Sequence, residues 1–276
     1  MTVLPLHKLN DGTQVPAVGF GTWPLSDDEA EEAVIRALQT GYRLVDTAAA
    51  YGNERGVGQG IIRSGVPREE IVVTTKLRGR DHGYEETLAA FEESRKQLGL
   101  DHVDLYLIHW PLPRVDRYVD SWRAFIHLQE QGLVHSIGVS NFTSAQLARL
   151  EEETGVLPAV NQVEMHPYLT QDGLRAFHAV KHILTEAWSP LGRGTGLLQE
   201  PDIMTVAERH AVTPAQVVLR WHTQLGSVPI PKSTHPERQK QNLNIFGFTL
   251  TEAELDRISH RSQRRLGGDP DTHEEF

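Results

Sequence analysis

Short apolar runs alternate with longer stretches of helical period along almost the whole chain. The runs that read as strand cores are 17–20, 43–46, 71–76, 103–108, 136–139, 159–163, 183–187 and 227–230, each bounded by turn-forming residues. The stretches between them carry apolar residues three and four apart. The first predicted helix starts at Ser26, an N-cap followed by Asp27-Asp-Glu29, and runs to Leu38 with Gly41 beyond its end. Further helices are predicted at about 53–64, 85–98, 118–131, 143–154, 171–180, 201–223 with a break near Pro214, 235–245 and 252–260. Ahead of them, Asn10-Asp-Gly12 is a hairpin turn signal in a short alternating segment. Strands alternating with helices imply parallel strands joined by right-handed crossovers. Eight such units in 276 residues fit an α/β fold of the closed (β/α)8 TIM-barrel kind, which takes about 250 residues. With no long linker or low-complexity stretch, the expectation is a single barrel domain over 1–276, with an N-terminal β-hairpin.

Composition narrows the function without naming it. No apolar run approaches the ~18 residues of a membrane-spanning helix, and Met1–Lys8 lacks the basic and apolar regions of a signal peptide. A cytoplasmic protein with no membrane partner is expected. Zero cysteines exclude disulfides and thiolate chemistry, and the fourteen histidines show no zinc-ligand spacing, so no metal is expected. The net charge of −10 argues against nucleic acid as a partner, because such a partner needs a basic face. Asn141-Phe-Thr143 is a glycosylation sequon on paper only, since no secretory signal accompanies it.

Four polar residues carry the candidate chemistry. Asp46 closes one predicted strand, Tyr51 lies in the loop after it, Lys76 ends the next strand and His109 follows the one after. In an α/β barrel, groups at the carboxyl ends of the strands converge on one face, where such barrels do their chemistry. A phenol with an ordinary pKa of about 10 is a reluctant acid. A Lys76 cation beside Tyr51 is expected to lower that value, with Asp46 holding the ammonium in place. Each residue also has an ordinary reading: a cap for Asp46, a packing aromatic for Tyr51, a strand-end cation for Lys76, a buried histidine for His109. Their joint placement favours the chemical one. Two glycine clusters, Gly56-Val-Gly-Gln-Gly60 and Gly192-Arg-Gly-Thr-Gly196, lack the six-residue dinucleotide fingerprint; the second is the better candidate for a loop beside a phosphate.

Three longer segments carry a resemblance. Gly41-Tyr-Arg-Leu-Val-Asp46 through Tyr51-Gly-Asn-Glu54 to Gly58, then Gly132-Leu-Val-His-Ser-Ile-Gly138-Val-Ser140-Asn141-Phe142, then Ile230-Pro-Lys232-Ser233 through Arg238 to Asn242, resemble the three signatures of the aldo-keto reductases, in order. Trp188-Ser-Pro-Leu-Gly192 and Asp269-Pro-Asp-Thr-His273 resemble most the bacterial 2,5-diketo-D-gluconate reductase-like members. The resemblance implies NADPH-dependent reduction of a small carbonyl, with Tyr51 as acid, Lys76 and Asp46 tuning it and His109 orienting the substrate. It also implies a monomer, ordered binding with cofactor first, and hydride transfer from the A face of the nicotinamide.

The cofactor positions follow from the same likeness. Ser140, Asn141 and Gln162 match a clamp on the nicotinamide carboxamide, whose one acceptor and two donors suit amide and hydroxyl partners. Trp188 matches the stacking aromatic, although a tryptophan at a strand end is also a common core residue. Ser189, Leu191 and Gly192 would line the pyrophosphate loop. Ile230, Lys232, Ser233, Thr234, Arg238, Gln241 and Asn242 match the adenosine end; two cations and a hydroxyl at a helix start suit a 2′-phosphate, hence NADPH/NADP+ over NADH. Trp23 and Trp110 match pocket walls, or are structural. The loop after His109 and the C-terminal tail are short, so an open pocket for small or polar carbonyls is expected, with Arg114, Arg117, Arg264 and Arg265 as surface charges that could attract a carboxylate. Two rivals remain: a nucleotide-binding redox-sensing regulatory subunit with little turnover, and a barrel enzyme acting on phosphorylated sugars.

Overall fold

A computed structural model describes residues 4–259 and 262–275. Eight strands lie side by side in sequence order and all pair in parallel: β3 (Phe20–Gly21), β4 (Leu44–Asp46), β5 (Val72–Leu77), β6 (Val103–Ile108), β7 (Val134–Ser140), β8 (Val160–Glu164), β9 (Leu184–Trp188) and β10 (Ser227–Pro229). The sheet closes on itself through backbone bonds from Gly19 N to the Pro229 carbonyl and from Gly21 N to the Pro231 carbonyl, both 3.1 Å. The expected first strand, 17–20, is shifted to Phe20–Gly21 because the backbone before it is used elsewhere: Ala17 N donates to Pro5 O and Gly19 N to the last strand. The hairpin, β1 (Leu6–Lys8) and β2 (Gln14–Pro16), covers the amino-terminal floor of the barrel, where Leu9 and Val15 pack on Leu105, Leu107 and Val160.

Helices form the outer layer: α1 (Asp27–Thr40), α2 (Glu54–Arg63), α3 (Tyr84–Leu98), α4 (Tyr118–Glu130), α5 (Ser144–Thr154), α6 (Asp172–Lys181), α7 (Pro201–His210), α8 (Pro214–Gln224), α9 (Pro236–Leu243) and α10 (Glu252–Ile258). Four of them, α1, α5, α8 and α10, start with a reciprocal capping box, in which Ser26, Thr143, Thr213 or Thr251 bonds the residue three places on and is bonded back. The predicted break near Pro214 is real. Ala211 turns to φ 53°, and the chain restarts with Pro214 in the first turn, where its missing N–H is harmless. Residue 260, the expected end of the last helix, lies outside the described residues. Between helices and sheet, Phe20, Tyr42, Phe91, Tyr106, Trp122, Phe125 and Phe142 form the aromatic part of a continuous buried core.

The first glycine cluster is a packing device. On α2, a Cβ at Gly56 would overlap the Asp27 carbonyl oxygen, one at Gly58 the Leu98 carbonyl oxygen, and one at Gly60 the Glu31 carbonyl and the Val34 side chain. Backbone contact between neighbouring helices, rather than phosphate binding, accounts for these residues. Gly58→Ala should therefore lower unfolding free energy by about 2–4 kcal/mol. Gly173→Ala in α6, where a Cβ meets nothing within 4 Å, should leave it unchanged or raise it by about 0.4–1 kcal/mol. Urea titrations of the two variants check this; equal stabilities would overturn the packing argument.

Candidate active site

Three adjacent strands deliver the four predicted residues to one place. Asp46 ends β4, Lys76 is the fifth residue of β5, and His109 follows β6; a short 3-10 turn, Ala49–Tyr51, brings Tyr51 back over the strand ends. The Lys76 side chain is fully buried, and its Nζ donates to Asp46 Oδ1 at 2.7 Å, to the Thr47 carbonyl at 3.0 Å and to the Tyr51 hydroxyl at 3.4 Å. Three acceptors match the three protons of an ammonium. The Tyr51 and His109 rings meet edge to face, 5.7 Å between centroids.

Electrostatics correct one expectation. Burial is the largest influence on the Tyr51 phenol and pushes its pKa up; Lys76 pulls down, Asp46 pushes up again, and the net value lies above the ordinary 10.0. Lys76 does act in the expected sense, but burial outweighs it, and the carboxylate that holds the ammonium cancels part of its field as well. For Lys76 itself, burial opposes the charge, yet Asp46 and Tyr51 together outweigh it and the ammonium stays above its usual pKa.

Gln162 extends the network. Its Nε2 donates to Asp46 Oδ2 at 2.8 Å and to Glu186 Oε2 at 2.9 Å. Glu186, on β9, is fully buried, its Oε1 has no hydrogen-bond partner, and burial together with Asp46 raises its pKa to about 7. Ser140 Oγ donates to the Gln162 carbonyl, and the Asn141 amide donates to Ser140 Oγ and to the His109 carbonyl. Asn141 has φ 63°, and its Oδ1 accepts from the Trp188 indole N–H at 2.8 Å. The expected clamp set and Trp188 thus form one bonded unit beside the four residues.

Two cavities meet here. One, of about 320 Å³, is lined by Tyr51, His109, Trp110, Trp188, Gly267 and Glu275 among others. The second, about 410 Å³, runs past Trp23, Ser189, Leu191 and Ile230 to Lys232. Trp23 and Arg193 border both. Ser233 and Thr234 follow Lys232 in the turn before α9, Arg238 and Gln241 lie on α9, and Asn242 is buried near its end. Gly192, at φ 73°, opens the turn that carries Arg193.

The tail is not open. Leu266 N and Gly267 N donate to the two oxygens of Glu164 at 2.6 and 2.8 Å, a Cβ on Gly267 would overlap the Trp188 ring, and the His273 ring lies 4.1 Å from Trp110. Glu275 Oε2 ends 3.0 Å from His109 Nδ1. Burial would raise the pKa of that carboxyl, but His109, with His273 and Lys76 behind it, outweighs burial and the net value is below the ordinary one. A short tail still walls the pocket because Glu164 fastens it by its backbone. None of the four arginines considered for a carboxylate lines this cavity: Arg117 is paired with Glu86, and Arg264 lies over the Tyr168 ring.

Sequence reading missed Glu186, Glu275 and Arg193. Only the Gly192–Gly196 cluster hinted at the last, whose guanidinium lies 4.6 Å over the Trp23 ring and 5.0 Å over Trp188. Glu186 sat inside an apolar strand, and Glu275 in a charged tail that looked solvated.

The chain is 52% identical to 2,5-diketo-D-gluconic acid reductase B of a Corynebacterium species over all of both chains. It is 46% identical to the methylglyoxal reductase DkgA of Escherichia coli over 96% of each. Its fold superposes on a Gox0644 mutant solved in complex with NADPH with a TM-score of 0.94, at 45% identity and 99% coverage of both. Residues 17–262 match the aldo/keto reductase family, and the chain belongs to that family.

Proposed function

We propose that this chain is an NADPH-dependent carbonyl reductase in which Tyr51 is the general acid. The observation that carries the reading is the Tyr51 hydroxyl, 3.4 Å from a fully buried ammonium at the edge of a cavity shared with His109. The reductase names of two relatives and the NADPH complex of a structural neighbour support the same class.

The two adjoining cavities together have the donor chemistry for the cofactor: a groove from Trp23 to Lys232, the Ser140–Asn141–Gln162 amide and hydroxyl set in the lining of the first cavity beside it, and cations before and on α9. Ser140, Asn141, Gln162 and Trp188 would hold the nicotinamide, Ser189, Leu191 and Gly192 the pyrophosphate, and Ile230, Lys232, Ser233, Thr234, Arg238, Gln241 and Asn242 the adenosine 2′-phosphate end. Bound NADPH supplies a hydride to the carbonyl carbon. The chain's part is to manage the charge that collects on the carbonyl oxygen. Tyr51 gives that oxygen a proton; because burial keeps the phenol protonated, the acid is ready at neutral pH. Lys76 stabilises the phenolate left behind, Asp46 keeps Lys76 charged, and His109 orients the carbonyl. Trp23 and Trp110 wall the pocket. We read the chain as a single-domain cytoplasmic monomer; among the described residues the exposed large apolar ones, Leu6, Trp23, Ile62, Val180 and Met204, are spread over separate parts of the fold.

Glu275 ranks the substrates. An ionised carboxylate at His109 disfavours keto-sugar acids and leaves aldehydes and neutral α-dicarbonyls as preferred carbonyls.

Three experiments test this reading. NADPH oxidation with a panel of these carbonyls should show Tyr51→Phe slowed by about 10²–10⁴-fold in kcat while NADPH still binds. Binding without turnover in the wild type would favour a regulatory subunit instead. Lys232→Ala and Arg238→Ala should each raise KM for NADPH about tenfold or more, the worth of one charge-assisted bond, with KM for NADH nearly unchanged. If both cofactors suffer equally, the 2′-phosphate assignment is wrong. Glu275→Gln should raise kcat/KM for keto-sugar acids about tenfold, from ~1–2 kcal/mol of relieved repulsion at an effective dielectric of ~20, and change neutral α-dicarbonyls by less than about threefold. An equal gain for both classes would show that the tail acts only by bulk.

A further inference from the structure

At the opposite end of the barrel three metal-ligating side chains face one another. Strand pairing puts Val103 beside Val134 and Leu105 beside Ser136, so Asp104 and His135 lie abreast at the amino ends of β6 and β7, with His102 just before β6. Asp104 Oδ1 lies 3.3 Å from His135 Nδ1 and 3.7 Å from His102 Nε2. The three ligand atoms are all within 4.8 Å of one another, and the two imidazoles stack at 4.3 Å with 29° between planes. A tetrahedral ion with bonds of about 2.0–2.1 Å sets its ligand atoms about 3.3–3.4 Å apart, so small side-chain shifts bring this triangle to that spacing.

A second set of contacts orients the carboxylate. Its other oxygen, Oδ2, accepts from Arg68 Nη2 at 2.6 Å and from Val73 N at 2.9 Å. Arg68 also donates to the Ile71 and His102 carbonyls, tying the cation and the segment before β6 together. One oxygen is thus held and the other is presented to the two imidazoles. Outer bonds of this kind are what fix a metal-binding carboxylate.

We propose that His102, Asp104 and His135 form a binding site for one borderline divalent transition-metal ion, Zn²⁺ foremost, with water completing its coordination. Two imidazoles and one carboxylate oxygen make the wrong set for Ca²⁺ or Mg²⁺, which take oxygen ligands, and Arg68 offsets much of the carboxylate charge those ions need. The site fastens the first turns of two neighbouring strands. It lies a strand length, roughly 15–20 Å, from the carboxyl-end chemistry, so the ion acts on stability rather than on turnover. Sequence spacing did not show it because His135 lies 31 positions beyond Asp104 and only strand pairing joins them.

Calorimetry of the tag-free chain with Zn²⁺, and visible absorption with Co²⁺, test the site. One equivalent should bind in the wild type and raise the unfolding midpoint. Affinity should fall at least about tenfold in His135→Ala, whose side chain is 48% exposed, and likewise in His102→Gln. Carbonyl reduction by both variants should match the wild type, which also shows that they fold. No binding at millimolar Zn²⁺, binding unchanged in both variants, or Ca²⁺ bound as tightly as Zn²⁺ would each overturn the proposal.

Discussion

The site is arranged around an ammonium that has no water. Lys76 lies inside the sheet with no exposed surface, and a buried cation must be fully bonded or it becomes neutral. That requirement sets the geometry of its neighbours. One proton goes to Asp46, one to the Thr47 carbonyl, and the third points at Tyr51. Removing one partner of such a pair costs about 3–5 kcal/mol, so the same bonds that place the Tyr51 hydroxyl also hold β4 to β5. The Tyr51 hydroxyl is the weakest of the three acceptors by distance, and its residue lines the cavity that His109 shares, whereas Asp46 borders the neighbouring one.

Gln162 links this pair to a second acid. By donating to Asp46 and Glu186 at once, it keeps two carboxyl groups bonded in a space where only one has a cation. The consequence is unequal protonation: Glu186 holds its proton up to about pH 7, because burial and the Asp46 charge both disfavour its ionised form. With Glu186 neutral, Lys76 and Asp46 balance each other. As Glu186 ionises above pH 7, negative charge is added beneath the site, which opposes charge building on a carbonyl oxygen.

The order of elements was legible because each strand is a short apolar run and the stretches between them repeat apolar residues three and four apart; Pro214 even marked the interruption between α7 and α8. The four polar residues were legible because strand ends converge in a barrel, whatever their distance apart in sequence. What could not be read is whatever depends on net balance or on non-adjacent packing. The direction of the Tyr51 shift needs the depth of burial against two opposed charges. The glycines of α2 tempt a dinucleotide-binding reading, and their real use shows only when the Asp27 and Leu98 carbonyls are seen against them. Glu275 looks like a solvated tail residue until Glu164 is seen to fold the tail back by its amides.

That last contact gives the pocket its polarity. Glu164 is buried and ionised below its ordinary pKa; burial opposes this, but His166 and the amides of Leu266 and Gly267 more than compensate. Carboxylate–amide bonds of this kind hold a backbone without needing any particular side chains on it. Residues 268–275 then follow over the barrel mouth with contacts of their own: Arg114 N donates to Glu274 Oε1, and Gly268 has no room for a Cβ beside the His273 ring. In this chain they carry His273 onto Trp110 and Glu275 onto His109. The reacting end is fixed by the buried ammonium, whereas charge at the entrance is set by a strap anchored from outside it. The reacting end and the entrance are thus held by separate bonds, yet they are coupled through charge, because Glu275 adds to the upward push on the Tyr51 pKa.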